Sequence, residues 1–312
     1  MPKINPNAAE LEFKPTFIER YSKLTEFEKF KQYSLSYLDR SIRINTIKIS
    51  VNRIKGRMKD WHLKQIPWCK EGFYFSHETG RRDIGNTAEH SLGYIYVQEA
   101  VSMIPPVVLN PKPTDIVLDC CAAPGSKTTQ LSAIMKNRGI IVANDLTGKR
   151  LAALGINLQR CGCTNVIVTQ MDARSFKQQF NKILVDAPCS GTGTIRKSLK
   201  TVSMWNPALI KRLSRNQKSI LETVFCKNLK KGGTLVYSTC SLEPEEDEGV
   251  ISYLLDNHQE ARIEKIKLNI NHSPAVMGFE GESYNKGVKH CLRIWPQDNN
   301  TGGFFVAKIR KI

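Results

Sequence analysis

The stretch VLDCCAAPGSKTTQL, residues 117–131, carries an apolar run into a helix-forming segment through a turn that holds a single glycine, Gly125. A short apolar run followed at once by a turn and a helix is the beginning of a βαβ unit. Four more apolar runs follow and alternate with amphipathic segments: GIIVAND, NVIVTQMD, KILVDAP and GGTLVYSTC. This rhythm predicts a parallel sheet of five strands.

The sequence after these five strands predicts a helix and a hairpin. LEPEEDEGVISYLLDNH, residues 242–258, predicts a helix whose acidic first turn lies at the positive end of the helix dipole. Two strand-like runs follow, CLRIWP and GGFFVAKIR, separated only by QDNNT. So short a link allows a hairpin but not a parallel crossover. The fold class is therefore α/β, with a seven-stranded, mostly parallel sheet whose last strand is antiparallel.

The region before Asp115 is more basic and lacks this rhythm. Its start, residues 10–35, predicts a helix that Pro15 breaks near the front. The runs SIRINTIKI, VNRIKGRMKDW, LKQIPW and GFYFSH then predict strand, helix, strand and strand. We therefore predict a small α+β module over residues 1–91 and a larger domain over residues 92–312.

The charge balance points to a polyanionic partner. The chain has 46 Lys and Arg residues against 29 Asp and Glu residues, a formal net charge of +17. RNA or DNA is the first candidate and an anionic membrane the second, while the alternative is a basic surface that only contacts solvent. Charge alone does not separate RNA from DNA.

Membrane spans and disulfides are not expected. No apolar run reaches the roughly 18 residues of a membrane-spanning helix, and the N-terminus lacks the layout of a signal peptide. Nine cysteines, an odd number without a secretory signal, argue against a disulfide framework. We expect a cytoplasmic protein without a membrane partner.

The turn around Gly125 fits neither of the common phosphate-binding loops. A P-loop needs G-x-x-x-x-G-K-[ST], but Ser126 separates Gly125 from Lys127 and the first glycine is absent. A dinucleotide fingerprint needs three glycines in G-x-G-x-x-G. The carboxylate of S-adenosylmethionine suits the N–H groups at a helix N-terminus without needing phosphates, so this cofactor is predicted.

Three acids end successive predicted strands and indicate the rest of a cofactor site. Asp145 lies twenty residues past Gly125, where a carboxylate can bind ribose hydroxyls. Asp172 and Asp186 end the next two runs, and Asp172 can accept a hydrogen bond from the adenine amine. Capping of turns is the structural alternative. Adjacent carboxyl ends of a parallel sheet open into one crevice, which favours the site.

Cys189 and Cys240 follow the fourth and fifth strands among glycines, serines and threonines, a poor setting for core residues. Methylation of cytosine at C5 needs a thiolate to add at C6 first, and a second acid-base group helps to release the product. Residue spacing alone does not rank the two thiols. No metal site is expected. Six further cysteines are predicted to fill the core: Cys69, Cys120, Cys161, Cys163, Cys226 and Cys291.

The blocks VLDCCAAPGSKTTQL, DAPCSGTG, VYSTCSLEPEEDEGVI and GGFFVAKIRK resemble the signature motifs of the RNA (cytosine-5)-methyltransferases of the Nop2/Sun (Fmu) group. Upstream, RINTIK and YVQEAVSMIPP resemble its N-terminal blocks, so the likeness spans residues 43–311. The resemblance implies a Rossmann-like, S-adenosylmethionine-dependent methyltransferase with an N-terminal RNA-binding module. It favours a compact archaeal-type enzyme, a monomer acting on tRNA, with rRNA as the alternative substrate.

The resemblance also implies the site residues. Cys240 would attack C6, Cys189 would assist release, and Lys127 with Asp186 would orient the cytosine. Asp145 would bind the ribose, Arg150 would line the cofactor site and Asp172 would bind the adenine end, while Asp186 would border both the cofactor and the base. The cofactor loop would consist of seven consecutive residues: Cys121, Ala122, Ala123, Pro124, Gly125, Ser126 and Lys127.

Gln297 departs from the family pattern, because many relatives carry His there, and Asn144 and the Cys120-Cys121 doublet are further variations that have no interpretation from the sequence. A non-catalytic RNA-binding assembly factor and an exocyclic-amine methyltransferase are the alternatives, although DAPC does not supply the Asn/Asp-Pro-Pro-aromatic block of the latter. Trp205 is a candidate for base stacking or for the core. Candidate phosphate contacts, each with solvated surface charge as its alternative, are Arg43, Lys48, Arg53, Lys55, Arg57, Arg196 and Lys197.

Overall fold

The computed structural model describes residues 2–8 and 11–312. The strands are β1 (Ser41–Ile44), β2 (Trp61–Gln65), β3 (Gly72–His77), β4 (Ile95–Val97), β5 (Ile116–Asp119), β6 (Ile140–Asn144), β7 (Val166–Thr169), β8 (Phe180–Asp186), β9 (Leu229–Thr239), β10 (Ala261–Glu264), β11 (Gly278–Phe279), β12 (Glu282–Ser283), β13 (Leu292–Ile294) and β14 (Phe304–Lys311).

The α-helices are α1 (Pro15–Ser22), α2 (Phe27–Ser34), α3 (Val51–Arg57), α4 (Ala88–Ser91), α5 (Ile104–Leu109), α6 (Ser126–Ile134), α7 (Gly148–Cys161), α8 (Lys200–Met204), α9 (Pro207–Thr223), α10 (Glu248–Asn257) and α11 (Pro296–Asn299). Within the described residues, none of these helices combines the length and apolar character needed to cross a bilayer.

The chain forms two compact units, and each is discontinuous in sequence. The first unit comprises Met1–Asp39, Pro188–Ser219 and Ser238–Ala307. The second unit comprises Arg40–Ala187, Ile220–Tyr237 and Lys308–Ile312. This division differs from the predicted contiguous domains 1–91 and 92–312, because α1 and α2 belong to one unit while β1–β3 belong to the other.

The N-terminal part of the second unit is a four-stranded antiparallel sheet in the order β2-β3-β1-β4. Its strands and α3 follow the predicted order of strand, helix, strand and strand. Buried Ile42, Ile44 and Phe73 pack with Ile54 of α3. The last strand, β4, lies beyond the predicted boundary after residue 91, because Ile42 of β1 pairs with Val97.

The larger sheet of the second unit contains the five predicted strands β5–β9. Their order is β7-β6-β5-β8-β9, with β14 next to β9. β5 pairs in parallel with both β6 and β8, and β6 pairs in parallel with β7. Parallel pairing brings the carboxyl ends of these strands to one edge of the sheet, where residues after Asp119, Asn144 and Asp186 begin their loops.

In the first unit, β10 and β13 both lie beside β14. β13 and β14 are antiparallel, with Leu292 opposite Val306, so the predicted terminal hairpin is confirmed. The helix predicted over residues 242–258 begins only at Glu248. The acidic residues before it form a buried turn instead, because they bind side chains of the same unit rather than solvent.

The helices α1 and α2 contribute an aromatic core to the first unit. Pro15 is the first residue of α1 rather than a break within it, since a proline at that position needs no N–H bond. The Phe17 and Tyr21 rings stack with centroids 4.0 Å apart, and the Tyr21 and Phe30 rings with centroids 5.0 Å apart. Glu10, where the predicted helix starts, lies outside the described residues.

Trp205 belongs to this core and does not present its ring for base stacking. It is buried, its ring meets Phe17 edge-on at 5.2 Å between centroids, and its indole Nε1 donates to Glu243 Oε1 at 3.0 Å. A buried indole N–H needs such an acceptor. Of the two interpretations of Trp205, the core position is therefore the observed one.

Two predicted phosphate contacts are structural arginines instead. Arg43 is 1% exposed, and its guanidinium donates to Ser126 O at 3.2 Å and to Thr129 Oγ1 at 2.9 Å. Arg196 is 7% exposed and donates to Thr301 O at 3.0 Å. Lys48 is exposed, but its ammonium donates to two backbone carbonyls. The remaining candidates are exposed: Arg53, Lys55, Arg57 and Lys197.

We predict that Arg43→Ala lowers the free energy of unfolding by about 3 kcal/mol, because it removes a buried side chain and its hydrogen bonds to the start of α6. Arg53→Ala, on the exposed face of α3, should change it by less than about 0.5 kcal/mol. Urea denaturation of both variants and the wild type measures the difference. Equal stabilities of the two variants would show that Arg43 has no structural role.

Candidate active site

The predicted cofactor loop connects β5 to α6 in the second unit. Gly125 immediately precedes α6 and has φ +103°, a conformation that side chains other than glycine rarely adopt. A Cβ added at Gly125 would lie 2.8 Å from Leu154 Cδ1. The first N–H groups of α6 have no partner within the helix, so the loop offers donors to a ligand carboxylate.

Asp145 and Arg150 are tied to this loop. Asp145 is buried, and its Oδ2 accepts from Ala123 N at 3.3 Å. The Arg150 guanidinium pairs with Asp145 Oδ2 at 3.2 Å and donates to Ala123 O at 2.6 Å. The structure therefore brings together the strand-end acid, the arginine and the loop that the sequence resemblance indicated separately.

Lys127 and Asp186 form an ion pair at the same edge of the sheet. Lys127 Nζ lies 2.7 Å from Asp186 Oδ2 and donates to Ser102 Oγ at 3.1 Å. The Lys127 side chain is largely buried and Asp186 is partly exposed. Both predicted base-orienting residues therefore lie side by side, with Ser102 as a neighbour that sequence reasoning missed.

Asp172 is engaged with its own turn. Its Oδ1 accepts from Arg174 N at 2.9 Å, and its carboxylate pairs with the Arg174 guanidinium. These bonds lower the pKa of Asp172, with the Arg174 side chain as the main cause. The geometry is that of a turn cap, the structural alternative for this acid, and its contact with adenine stays a prediction.

Asp119 is an acid that sequence reasoning missed, although its place at the end of β5 was a signal. It is buried, and its Oδ2 accepts from Thr128 Oγ1 at 2.7 Å. Its Oδ1 has no hydrogen-bond partner among the described residues. Burial raises the pKa of Asp119 to about 7, with the charges of Asp186 and Asp145 adding to the shift.

Asn144, which the sequence left without an interpretation, braces the neighbouring strand ends. Its Nδ2 donates to Cys120 O at 3.1 Å and to Met171 O at 2.9 Å, and its Oδ1 accepts from Met171 N. An amide can donate and accept at once, which a carboxylate cannot do. Asn144 thereby fixes the loops that begin after β5 and β7.

The two candidate catalytic thiols are in contact within the first unit. Cys189 Sγ lies 3.3 Å from Cys240 Sγ, and both residues are partly exposed. Their backbones also meet, because Gly193 N donates to Cys240 O at 2.9 Å. Residues 51 positions apart in the sequence therefore face each other in the structure.

The neighbouring thiol and burial raise the pKa of Cys189 well above its ordinary value. Cys189 therefore holds its proton and can donate it in a hydrogen bond to the sulfur of Cys240. A thiolate is the nucleophilic form of cysteine, and a hydrogen-bond donor beside it stabilises that form. The Cys189 thiol is therefore suited to donate a hydrogen bond whenever Cys240 is ionised.

Four of the six cysteines predicted to fill the core are buried: Cys69, Cys120, Cys161 and Cys291. Cys163 and Cys226 are only partly buried. Gln297, the position expected from the sequence to depart from the family pattern, donates from Nε2 to Thr25 Oγ1 at 2.9 Å.

Residues 106–310 match the family model of the 16S rRNA methyltransferase RsmB/F, and residues 13–100 match the N-terminal domain of the 16S rRNA methyltransferase RsmF. The chain belongs to the RsmB/F family. This result confirms the predicted Nop2/Sun-type family. RsmB/F proteins are S-adenosylmethionine-dependent methyltransferases, so the predicted cofactor is also confirmed.

Two groups of relatives differ in how much of their own length this RsmB/F chain covers. It is 45% identical over 300 residues to the tRNA (cytosine(49)-C(5))-methyltransferase of Pyrococcus abyssi, a match that covers 94% of this chain and 95% of the relative. It is 40% identical over 284 residues to ribosomal RNA small subunit methyltransferase F of Vibrio atlanticus. That match covers 88% of this chain but only 58% of the relative.

Solved structures confirm the Rossmann-like methyltransferase fold. A methyltransferase homolog protein from Pyrococcus horikoshii superposes with a TM-score of 0.83 at 37% identity, covering 96% of this chain and 100% of that one. NSun6 from Pyrococcus horikoshii with SFG, an S-adenosylmethionine analogue, gives a TM-score of 0.82 at 25% identity and covers 96% and 98%. The glycine loop and the buried Asp145 fit this cofactor class.

The raised pKa of Asp119 predicts a specific pH dependence of stability. Between about pH 4 and pH 7 the folded chain keeps a proton on Asp119 that the unfolded chain has lost, so the free energy of unfolding falls as pH rises through this window. Asp119→Asn removes this contribution. The variant should gain roughly 2 kcal/mol or more relative to the wild type between pH 4.5 and pH 8.

Urea denaturation at both pH values measures this gain. Asp60→Asn, which changes an exposed aspartate, is the matched control and should follow the wild type at both pH values. Parallel pH dependences of Asp119→Asn and the wild type would show that Asp119 is ionised in the folded chain.

Proposed function

We propose that this chain methylates C5 of cytosine in tRNA through a covalent bond between Cys240 and C6 of the base. The contact of 3.3 Å between Cys189 Sγ and Cys240 Sγ carries this proposal. A core cysteine pair would be fully buried among apolar side chains, whereas these thiols are partly exposed beside Ser190 and Ser241.

The reaction needs a nucleophile because C5 of cytosine does not attack a methyl group unaided. S-adenosylmethionine supplies the methyl group when it is bound. Cys240 adds to C6 as a thiolate and shifts electron density to C5, and the raised pKa of Cys189 suits it to donate a hydrogen bond to that thiolate. Cys240 is therefore the attacking thiol in this proposal.

Release of the product requires the loss of the C5 proton and the return of the C6–sulfur electron pair to Cys240. The Cys189 thiol lies where it can donate its proton to the departing sulfur of Cys240, and the C5 proton then passes to the sulfur of Cys189, which is left as the thiol it was before. Lys127 and Asp186 would orient the cytosine, with Asp186 near N3 and the exocyclic amine. The distance of 2.7 Å between Lys127 Nζ and Asp186 Oδ2 supports a joint role for these two side chains.

The cofactor would be held by residues of the second unit. The loop from Cys121 to Lys127 would bind its carboxylate, and Asp145 would accept from the ribose hydroxyls, with Arg150 fixing Asp145 and the loop. Asp172 would bind the adenine end. Cys121 lies near the same acids: burial raises its pKa, and the charges of Asp119, Asp186 and Asp145 add to the shift.

Transfer RNA is the substrate that the comparisons support best. The match to the Pyrococcus abyssi enzyme, named for cytosine 49 of tRNA, covers nearly the whole of both chains. The net charge of +17 suits a polyanion. The match of residues 13–100 to the N-terminal domain of RsmF favours rRNA as the second candidate.

The two thiols predict opposite covalent behaviour. Cys189→Ala should form the bond to C6 but release it slowly, so denaturing gels should show an RNA adduct and turnover should fall by about 100-fold or more. Cys240→Ala should form no adduct. Radiolabelled S-adenosylmethionine and bulk tRNA provide both readouts.

Cys163→Ala is the matched control for this experiment, because it removes a partly buried thiol of the second unit, and it should behave as the wild type. An adduct trapped by Cys240→Ala would reverse the roles of the two thiols. Absence of methyl incorporation by the wild type, under conditions where it binds RNA, would favour a non-catalytic assembly factor.

The substrate prediction is tested with transcripts. Methyl incorporation should occur in a tRNA transcript and fall to background when cytosine 49, the position in the name of the Pyrococcus abyssi relative, is replaced by uridine. Mass spectrometry of the product nucleoside separates C5 from N4 methylation. Incorporation into small-subunit rRNA fragments but not into tRNA would establish the second candidate substrate instead.

A further inference from the structure

A buried carboxylate is bound to the residue that follows each thiol. Cys189 and Cys240 are each followed by a serine, Ser190 and Ser241. Glu246 accepts from Ser190 N at 3.0 Å, from Ser190 Oγ, and from Ser241 Oγ at 2.6 Å. One side chain therefore connects the two loops that carry the thiols.

A fourth donor reaches Glu246 from α9. Gln217 is fully buried, and its Nε2 donates to Glu246 Oε1 at 3.0 Å and to Pro188 O at 2.8 Å. All four groups that bind Glu246 donate to its carboxylate, which suits an acceptor-only group that has been removed from water. Glu246 thus binds the Cys189 loop directly through Ser190 and indirectly through Gln217, which also donates to Pro188 O.

The backbone around the thiols leaves little freedom for adjustment. Leu242 N donates to Thr192 Oγ1 at 2.9 Å, which links the segments that follow the two thiols. A Cβ at Gly193 would lie 2.8 Å from Cys240 O and 2.3 Å from Gly303 O, so only glycine fits there. Backbone contacts bring the loops together, and Glu246 then sets where the serines, and with them the thiols, lie.

We infer that Glu246 is a positioning residue that holds Cys189 Sγ and Cys240 Sγ in contact by binding Ser190 and Ser241. It acts through these serines and touches neither the cytosine nor the cofactor in this role. The chemical consequence rests on the proposed function: both thiols must serve one cytosine, one in attack and one in release. The physical claim concerns only the thiol pair and is testable without RNA.

The charge of Glu246 adds to this geometric role. Its carboxylate is among the groups that raise the pKa of Cys189, after the neighbouring thiol and burial. A negative charge beside Cys189 favours the protonated thiol there. The charge of Glu246 therefore adds to the raised pKa of the thiol that is proposed to assist release.

Disulfide formation measures the contact between the thiols directly. Diamide, a diazene, accepts two electrons and two protons from two thiols and becomes a hydrazine, while the two sulfurs form a disulfide. Wild-type protein should give a peptide cross-linked between Cys189 and Cys240 by mass spectrometry. Glu246→Ala should slow this cross-link by about tenfold or more, because the thiols lose their fixed proximity.

Glu246→Gln separates geometry from charge. Its amide oxygen can accept from Ser190 N and Gln217 Nε2, while its amino group donates to the hydroxyls of Ser190 and Ser241, which can rotate to accept. The cross-link should therefore form at a rate within about threefold of the wild type, whereas Glu246→Ala should lose it. A cross-linking rate for Glu246→Gln as low as that of Glu246→Ala would overturn this hydrogen-bond scheme.

Glu243→Ala is the matched control. Glu243 is equally buried in the same turn, but its side chain binds Tyr21, Trp205 and Arg20 instead of the serines. Folded Glu243→Ala should cross-link at the wild-type rate. If Glu246→Ala does not fold, the double variant Ser190→Ala/Ser241→Ala, which removes both hydroxyls, should slow the cross-link by at least about threefold.

Two results would overturn the proposal. The first is a wild-type protein that forms no cross-link between Cys189 and Cys240. The second is cross-linking at the wild-type rate by folded Glu246→Ala, or by the double variant if Glu246→Ala does not fold. Methyl transfer to tRNA by Glu246→Ala should show a lower kcat with an unchanged KM for RNA. Wild-type protein that cross-links normally but transfers no methyl group would refute the proposed function while leaving the positioning role of Glu246 intact.

Discussion

The first unit depends on a buried turn of carboxylates that each require a partner. Four of these acidic side chains are fully buried, Glu243, Glu246, Asp247 and Glu248, and a charge removed from water is tolerated only when it is paired or hydrogen-bonded. Glu243 binds Arg20 of α1, and Glu246 binds the loops of both thiols. Glu248 pairs with Arg293 of β13, whose guanidinium is also buried. The partners come from distant parts of the chain, so the turn joins the N-terminal helices, the thiol loops and the terminal hairpin.

In the second unit, buried polar side chains at the carboxyl ends of the parallel strands also require hydrogen-bond partners. Asp145, Asn144 and Asp119 are buried there with polar partners in the loops that follow the strands. Arg43 braces the start of α6 from the N-terminal sheet of the same unit. Because these groups are fixed by hydrogen bonds, the loop around Gly125 keeps its conformation and its donors remain directed at a ligand.

The thiol pair shows how the same residue type acquires different properties. Cys120 and Cys161 are buried among core residues, while Cys189 and Cys240 lie partly exposed and in contact with each other. The raised pKa of Cys189 keeps the proton on that sulfur, whereas a nucleophilic sulfur must be ionised. Attack and release require these two different states. The proposed division of roles rests on the family resemblance, and the raised pKa of Cys189 is consistent with it.

The sequence by itself determined the βαβ rhythm, the terminal hairpin, the family and the loop around Gly125, because local periodicity and motif spacing encode them. It did not determine that Arg43 and Trp205 are buried, since exposure depends on which distant segments pack against a residue. Nor did it determine that α1 belongs to the first compact unit and β1 to the second, since this division depends on contacts between distant segments. The role inferred for Glu246 was decided only by the tertiary structure, because its donors, Ser190, Gln217 and Ser241, are brought together by folding.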